Sequence, residues 1–327
     1  MKKLLSLSLV LILLVLSLAA CGSETPPTVR VGGLTGPTSI GMAKLMADNE
    51  AGTTQNTYDF TVAGSADVLT PMLIKGELDI AAVPANLAAV LYQRTKGAVQ
   101  ILAINTLGVQ YIVEKGGETV SSFADLRGKT LYATGKGTVN EYSLRYLLKQ
   151  AGLDPDQDVT VEWKSEPTEV VALLKQNASA VAMLPQPYVT VAQGAVEGLR
   201  VALSLSDTWD SLDNGSRMIT GTLVVRREFA EKNPETVRRF LAEYRASTEY
   251  VVENPNEAAP LVEQYVGIKA GVAKTAIPFC NITCITGEDM IAPLSSYLTI
   301  LYGENPAAVG GALPLDDFYY VQASAQE

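Results

Sequence analysis

A two-lobed α/β fold is predicted, on three observations. Short β-rich runs alternate with helical ones from Val29 to Ser204 at the spacing of βα units, an ungapped echo links residues 73–84 to residues 174–185, and after Ser204 the rhythm changes to long helices. The 327 residues suit about two domains of roughly 150 residues each. With 47% hydrophobic and 18% charged residues the chain belongs among folded globules.

The elements follow in order. Val29 to Leu34 reads as a strand, Ser39 to Ala47 as a helix and Tyr58 to Ala63 as a strand. Pro71 to Lys75 is the clear part of a helix, followed by Leu78 to Val83 (strand), Asn86 to Arg94 (helix) and Gln100 to Thr106 (strand). A second series repeats the pattern: strands at Thr130 to Ala133, Val159 to Trp163, Ala180 to Leu184 and Arg200 to Ser204, with helices at Asn140 to Gln150, Glu169 to Gln176 and Tyr188 to Gln193. Such alternation implies mainly parallel sheets flanked by helices. In the echo, Leu73 to Pro84 aligns on Leu174 to Pro185. A helix ends at a residue tolerant of the left-handed conformation (Gly76, Asn177), turns into an apolar strand and stops at a Pro that opens the next helix. Met218 to Val225 is a long β run, and the helices Pro234 to Glu253, Asn256 to Tyr265 and Gly287 to Tyr302 complete the chain. These terminal helices are expected on the first lobe. That gives one lobe from residues 29–107 plus 219–327 and another from 108–218, with crossings near Thr106 to Ile112 and Ser216 to Gly221 as a hinge.

The amino terminus reads as an export signal over residues 1–20. Lys2 and Lys3 precede an apolar or small stretch, Leu4 to Ala20, and Leu18-Ala19-Ala20-Cys21 resembles the bacterial lipobox, whose Cys thiol is diacylated before the chain is cut ahead of it. Cys21 is therefore the expected lipidation site, and residues 21–28 a polar tether. Two acyl chains hold a membrane firmly where one does not. The expected location is the extracytoplasmic face of a cell membrane. Cys280 and Cys284 are the other two thiols. Two buried apolar thiols are the preferred reading, and a local bridge the alternative, since residues four apart come within reach only in a turn or helix.

Composition excludes several chemistries. Without a single His the chain builds no Ser-His-Asp or Cys-His relay and no H-E-x-x-H zinc helix. A net charge of −10 and no basic patch argue against nucleic acid. Gly128-Lys129-Thr130 lacks the earlier Gly of a P-loop, with Phe123 in that slot, and Gly135-Lys136-Gly137 lacks the third Gly of a dinucleotide fingerprint, with Asn140 there. Asp154, Asp156 and Asp158 read as a solvated turn, because no Gly turn or closing Glu follows at calcium-loop spacing. No cofactor and no metal are expected.

In open α/β sheets ligands bind beyond the carboxyl ends of the strands. The loops there are Leu34 to Ser39, Ala63 to Asp67, Val83 to Asn86, Ala133 to Thr138 and Pro185 to Tyr188, rich in hydroxyls, amides and glycines. Candidate ligand-binding residues are Thr35, Gly36, Thr38, Ser39, Ser65, Asn86, Lys136, Gly137, Thr138 and Tyr188. They suit a small polar or anionic solute, or a flat ring against Tyr188.

The chain resembles the solute-binding lipoproteins of ABC importers, in the nitrate/sulfonate/taurine and thiamine-pyrimidine group. The resemblance rests on Lys75 to Ala81, Phe123 to Thr130 followed by Gly137 and Thr138, Ala172 to Pro187, Asn233 to Phe240 and Glu253 to Ala258, in that order behind the lipobox. It implies a type II periplasmic-binding fold with the ligand cleft between the lobes. It also implies a monomer that carries a small-molecule solute to ABC permease subunits without chemistry, and ligand contacts from Thr35 to Ser39, Ser65, Asn86, Gly137 and Thr138. Two departures stand out: Ala180 holds a position that carries an acid in the group, and Pro71 interrupts a helix that is continuous there. The same fold would serve a lipid-anchored sensor subunit, or an enzyme making pyrimidine or menaquinone precursors. The missing His and the lack of paired carboxylates in the cleft loops weigh against the enzyme.

Overall fold

The computed structural model describes residues 27–321. The export signal and the lipidation site Cys21 lie outside the described residues. Two sheets organise the rest, and each is covered by helices. The first takes strands β1 (Val29–Leu34), β2 (Tyr58–Ala63), β3 (Ile80–Pro84) and β4 (Val99–Leu107). The second takes β5 (Gln110–Lys115), β6 (Thr130–Thr134), β7 (Thr160–Lys164), β8 (Ala180–Pro185) and β9 (Leu199–Ser204). The chain then returns to the first sheet with β10 (Ile219–Arg226) and β11 (Ile282–Thr286). The orders are β11-β4-β10-β3-β1-β2 and β7-β6-β8-β5-β9.

The two-lobed α/β fold is the one the alternation indicates, but the sheets are mixed where mainly parallel ones were expected. β1 runs parallel to β2 and β3, and β6 runs parallel to β7 and β8. β10 is antiparallel to β3 and β4, and β5 is antiparallel to β8 and β9. β11 is antiparallel to β4 as well; for β5 and β10 the reversal has one cause. β5 and β10 are the first strands after each crossing, so each starts at the end where the parallel strands of its new sheet finish.

Several expected elements differ in detail. The helix expected over Ser39 to Ala47 is two, Pro37–Ile40 and Ala43–Glu50. The buried Ser247 hydroxyl enters the break, donating to the Gly41 carbonyl (2.6 Å) and accepting from the Leu45 amide (2.9 Å). Pro71 does not interrupt its helix, which runs Ala66–Lys75. Its ring is exposed, so the Asp67 carbonyl that loses its intrahelical donor lies on the solvent side. Of the two echoed helix ends, Gly76 is left-handed (φ 77°), whereas Asn177 is extended (φ −88°) and instead caps through its side chain, which donates to the Leu173 carbonyl at 2.9 Å. β5, β11 and the helices Leu205–Asp210, Arg227–Lys232 and Ala270–Ala276 were not anticipated. Cys280 and Cys284 are free and buried, and burial pushes their thiols up to about 12 and about 11. Asp154, Asp156 and Asp158 form a turn that binds itself and its neighbours: Asp154 accepts from the Asp156 amide, Asp156 pairs with Arg145 and Asp158 pairs with Arg127.

Among the described residues no helix is long and apolar enough to cross a membrane. The lobes share more than the two crossings. The Ile291–Glu304 helix packs on Val139–Gln150, with the Tyr297 and Ser143 hydroxyls 2.9 Å apart, Lys149 bonded to Glu304 (2.7 Å) and the Asn305 amide donating to the Tyr142 hydroxyl (3.1 Å). A single apolar core runs through this joint, from Leu69 and Ile101 to Leu144 and Trp209.

One charge on β5 makes the second lobe acid-sensitive. Glu114 is 3% exposed, and its carboxylate accepts from the Thr119 amide and hydroxyl, the Val120 amide and Arg200. Burial alone would raise its pKa; the Thr119 and Arg200 hydrogen bonds outweigh that and bring it to about 2. The depressed value gives stability that is present above the ordinary Glu pKa and is lost as the pH falls from about 4.5 toward 2. Thermal unfolding followed across that window should show a steeper fall for the native chain than for Glu114→Gln.

Candidate functional site

The parallel strands β1, β3, β6 and β8 end at Leu34, Pro84, Thr134 and Pro185, and all four residues line one crevice of about 350 Å³. The crossings border it as well, through Val109, Gln110 and Thr220. Both lobes therefore contribute, as strand ends facing each other across a gap.

Five of the expected residues meet here: Thr35, Gly36, Thr38, Thr138 and Tyr188. Gly36 has φ 145° and ψ −170°, a region essentially closed to residues with a Cβ, and it turns the chain from β1 into the Pro37–Ile40 helix. That helix sits hard on its strand: a Cβ at Gly33 would lie 2.4 Å from Ser39 Oγ and 2.8 Å from Met42. The loop is also held from below. Asn105, fully buried on β4, donates from Nδ2 to the Thr38 carbonyl at 2.9 Å and accepts from the Thr106 hydroxyl at 3.1 Å. Thr138 is the N-cap of Val139–Gln150. Its hydroxyl accepts from the Asn140 amide (3.2 Å) and donates to the Gly135 carbonyl (2.6 Å). Losing such a cap costs about 1 kcal/mol. Thr138→Ala should therefore lower stability by about that much in chemical denaturation, where a purely ligand-facing Thr would leave it unchanged.

The other five stand elsewhere. Ser39 is fully buried beneath the loop, and its hydroxyl has no hydrogen-bond partner in the protein. Ser65 is exposed at the start of Ala66–Lys75 and does not line the crevice. Asn86 turns away, donating to the Ala308 carbonyl at 3.2 Å. Gly137 is exposed, and its amide donates to Glu141 at 2.7 Å. Lys136 faces a separate groove with Glu141, Arg145, Asp156 and Trp163.

Sequence reasoning missed Gln110, Gln186, Asn140 and Thr134, all on the lining. Gln186 was inside a singled-out loop but was passed over for Tyr188. It is 3% exposed, precedes a cis peptide to Pro187, and accepts from the Thr190 hydroxyl (2.9 Å) and amide (3.3 Å). Gln110 opens β5, a strand hidden in what read as a hinge connection. No Asp, Glu, Lys, Arg or Cys is among the lining residues. The crevice offers hydroxyls, carboxamides and apolar surface.

The two lobes meet strand end to strand end across a crevice whose walls are mostly apolar, with hydroxyls and carboxamides set among them. The NMT1/THI5-like family matches residues 69–258, more than half of the chain, and the chain belongs to that family. A Brucella abortus (strain 2308) protein whose name proposes a binding role is 25% identical over 203 residues. Those residues are 62% of this chain and 60% of that protein, so the match spans less than two thirds of the relative's length. Among solved structures, an ABC transporter protein from Parabacteroides distasonis has a TM-score of 0.75 at 24% identity, covering 90% of this chain and 98% of that one. The periplasmic aliphatic sulphonate binding protein SsuA from Escherichia coli has a TM-score of 0.72 at 16% identity, covering 93% and 95%. The desulfurization enzyme DSZB has a TM-score of 0.66 at 13% identity, covering 90% and 96%. At these identities the likeness is one of fold, the two-lobed type II periplasmic-binding fold, and that fold serves binding proteins and an enzyme alike.

Proposed function

We propose that the chain is an extracytoplasmic solute-binding lipoprotein of an ABC importer. Residues 29–107 with 219–327 form one lobe and 108–218 the other. A small polar, anionic or heteroaromatic compound enters the crevice, bonds groups on both lobes and shifts the lobes toward closure, because only the closed form makes both sets of contacts. The closed form, a monomer held to the membrane through lipid on Cys21, delivers the compound to its permease unchanged. The observation that carries this reading is the crevice itself, lined from both sheets by hydroxyls and carboxamides at strand ends. Its lining holds no carboxylate, thiol or amine to act as acid, base or nucleophile, which favours capture over catalysis.

Thermal shift across a solute panel tests it. A ligand at 100 times its dissociation constant adds about 2.7 kcal/mol of stability. Thr35 is exposed at the crevice mouth and makes no side-chain hydrogen bond, so Thr35→Trp should block entry without unfolding the loop. The shift seen with the native chain should disappear in that variant. A shift that persists unchanged would place the solute elsewhere.

A further inference from the structure

The crevice is unusual in what its walls lack. Five prolines line it (Pro37, Pro84, Pro167, Pro185 and Pro187), and a proline presents no N–H. Four amides near the adjoining helix starts are already used within the protein: the Asn140 amide by Thr138, the Thr190 amide by Gln186, the Gly137 amide by Glu141 and the Ser39 amide by the Gly36 carbonyl. Anion sites at helix starts depend on such amides being free. Glu141 adds a carboxylate in the first turn of Val139–Gln150, where an anion would otherwise gain from the helix dipole. Of the nearby cations, Lys136 faces the separate groove and Lys164 pairs with Glu162 at 2.9 Å. An anion placed here would lose its water with no cation in the walls to compensate.

One buried polar atom of the lining is left without a partner. Gln110 is 3% exposed, its Oε1 is buried with no donor in reach, and neither end of its carboxamide is hydrogen-bonded to the protein. A buried amide so placed is costly unless something else satisfies it. A carboxamide presents one acceptor beside two N–H donors, which matches the edge of another amide.

Resting on the solute-binding reading above, we infer that the solute is uncharged at neutral pH. It is a compound with apolar faces that fit between proline walls and one edge carrying a donor beside an acceptor, and Gln110 is the residue that reads that edge.

Matched pairs separate charge from shape: nicotinamide against nicotinate, benzamide against benzoate and methanesulfonamide against methanesulfonate, each titrated into the full-length lipoprotein by calorimetry and thermal shift at pH 7. The neutral member of each pair that binds should be at least ten-fold tighter. Gln110→Leu should weaken that binding at least ten-fold while leaving the melting temperature of the unliganded protein equal or higher, since it removes an unsatisfied buried amide. A purely structural Gln110 would instead lower the melting temperature and leave affinity unmoved, which would overturn its role. Tighter binding of the charged members, abolished by Thr35→Trp, overturns the charge assignment and leaves the solute-binding reading standing. No binding by any pair, together with no small molecule released from the purified protein in native mass spectrometry, overturns both.

Discussion

Asp79→Ala lowers the unfolding free energy by about 1–3 kcal/mol, because the carboxylate and its hydrogen bonds are buried while the two guanidinium groups left behind are partly solvated. Asp79 is 1% exposed just ahead of β3 and gathers two arginines. Arg30 on β1 donates from Nε at 2.9 Å, from Nη2 at 2.6 Å and from its backbone amide at 3.0 Å, and Arg226 at the end of β10 donates from Nη2 at 2.8 Å. Burial works to raise the Asp79 pKa, but the hydrogen bonds from Arg30 and Arg226 prevail and hold it below the ordinary Asp value. Removing the carboxylate leaves two guanidinium groups facing each other where three strands meet. Adding Arg30→Met and Arg226→Met to Asp79→Ala should restore part of the loss, because it removes both unpaired guanidinium groups together with the carboxylate. Urea denaturation of the single and triple variants measures both. If the triple variant is as unstable as the single one, the cost lies in packing and not in the orphaned charges. Asp79 stands at the far end of β3 from Pro84, about 17 Å at the usual rise of a strand, so crevice affinity per folded molecule should not change.

That placement explains what was legible in the sequence. Lys75-Gly76-Glu77-Leu78-Asp79-Ile80 carries much of the family resemblance, yet its task is to end a helix at a left-handed Gly and pin three strands at the end away from the ligand. Short β-rich apolar runs marked the β1 and β3 strands, and a repeated apolar face marked the long Pro234–Glu253 helix. Such patterns missed β5 and β11. β5 alternates poorly, since Gln110 and Glu114 are nearly as buried as Ile112 and Val113, and the partners that hold Glu114 there come only with the tertiary structure. Among the site residues, Thr35, Gly36, Thr38, Thr138 and Tyr188 converge because loops at strand ends are placed by topology. Asn86 and Lys136 have the right loops but the wrong direction, whereas the Ala63 to Asp67 loop that carries Ser65 contributes nothing to the crevice. Sequence spacing fixes where a backbone goes, and side-chain aim depends on neighbours such as Ala308, more than 200 residues downstream of Asn86.

Trp209→Ala loosens the joint between the lobes as well as the core, with an expected cost of about 3–5 kcal/mol for deleting a fully buried Trp. Trp209 is 0% exposed in Leu205–Asp210, and its Nε1–H donates to the Ser216 hydroxyl at 2.8 Å, on the segment that leads back into β10. Its ring lies 4.7 Å from that of Tyr146 and meets Tyr297 edge-on at 5.4 Å, and Tyr297 in turn touches Ser143 through its hydroxyl. One indole thus ties together the returning crossing, the helix that opens at Thr138 and the Ile291–Glu304 helix. On the proposed function, closure of the lobes would be a rotation about this packed joint and not a swing on two bare strands. Calorimetry of the native chain should show one cooperative transition, and Trp209→Ala should split it, with the lobes melting separately. Trp209→Phe, which keeps a ring against Tyr297, should retain the single transition at a lower temperature. The variant also speaks to function. A looser joint populates more open arrangements, and apparent affinity falls by the fraction of molecules that can still close. A Trp209→Ala chain that melts in two steps and yet binds solute with undiminished affinity would show that the crevice is assembled without the joint.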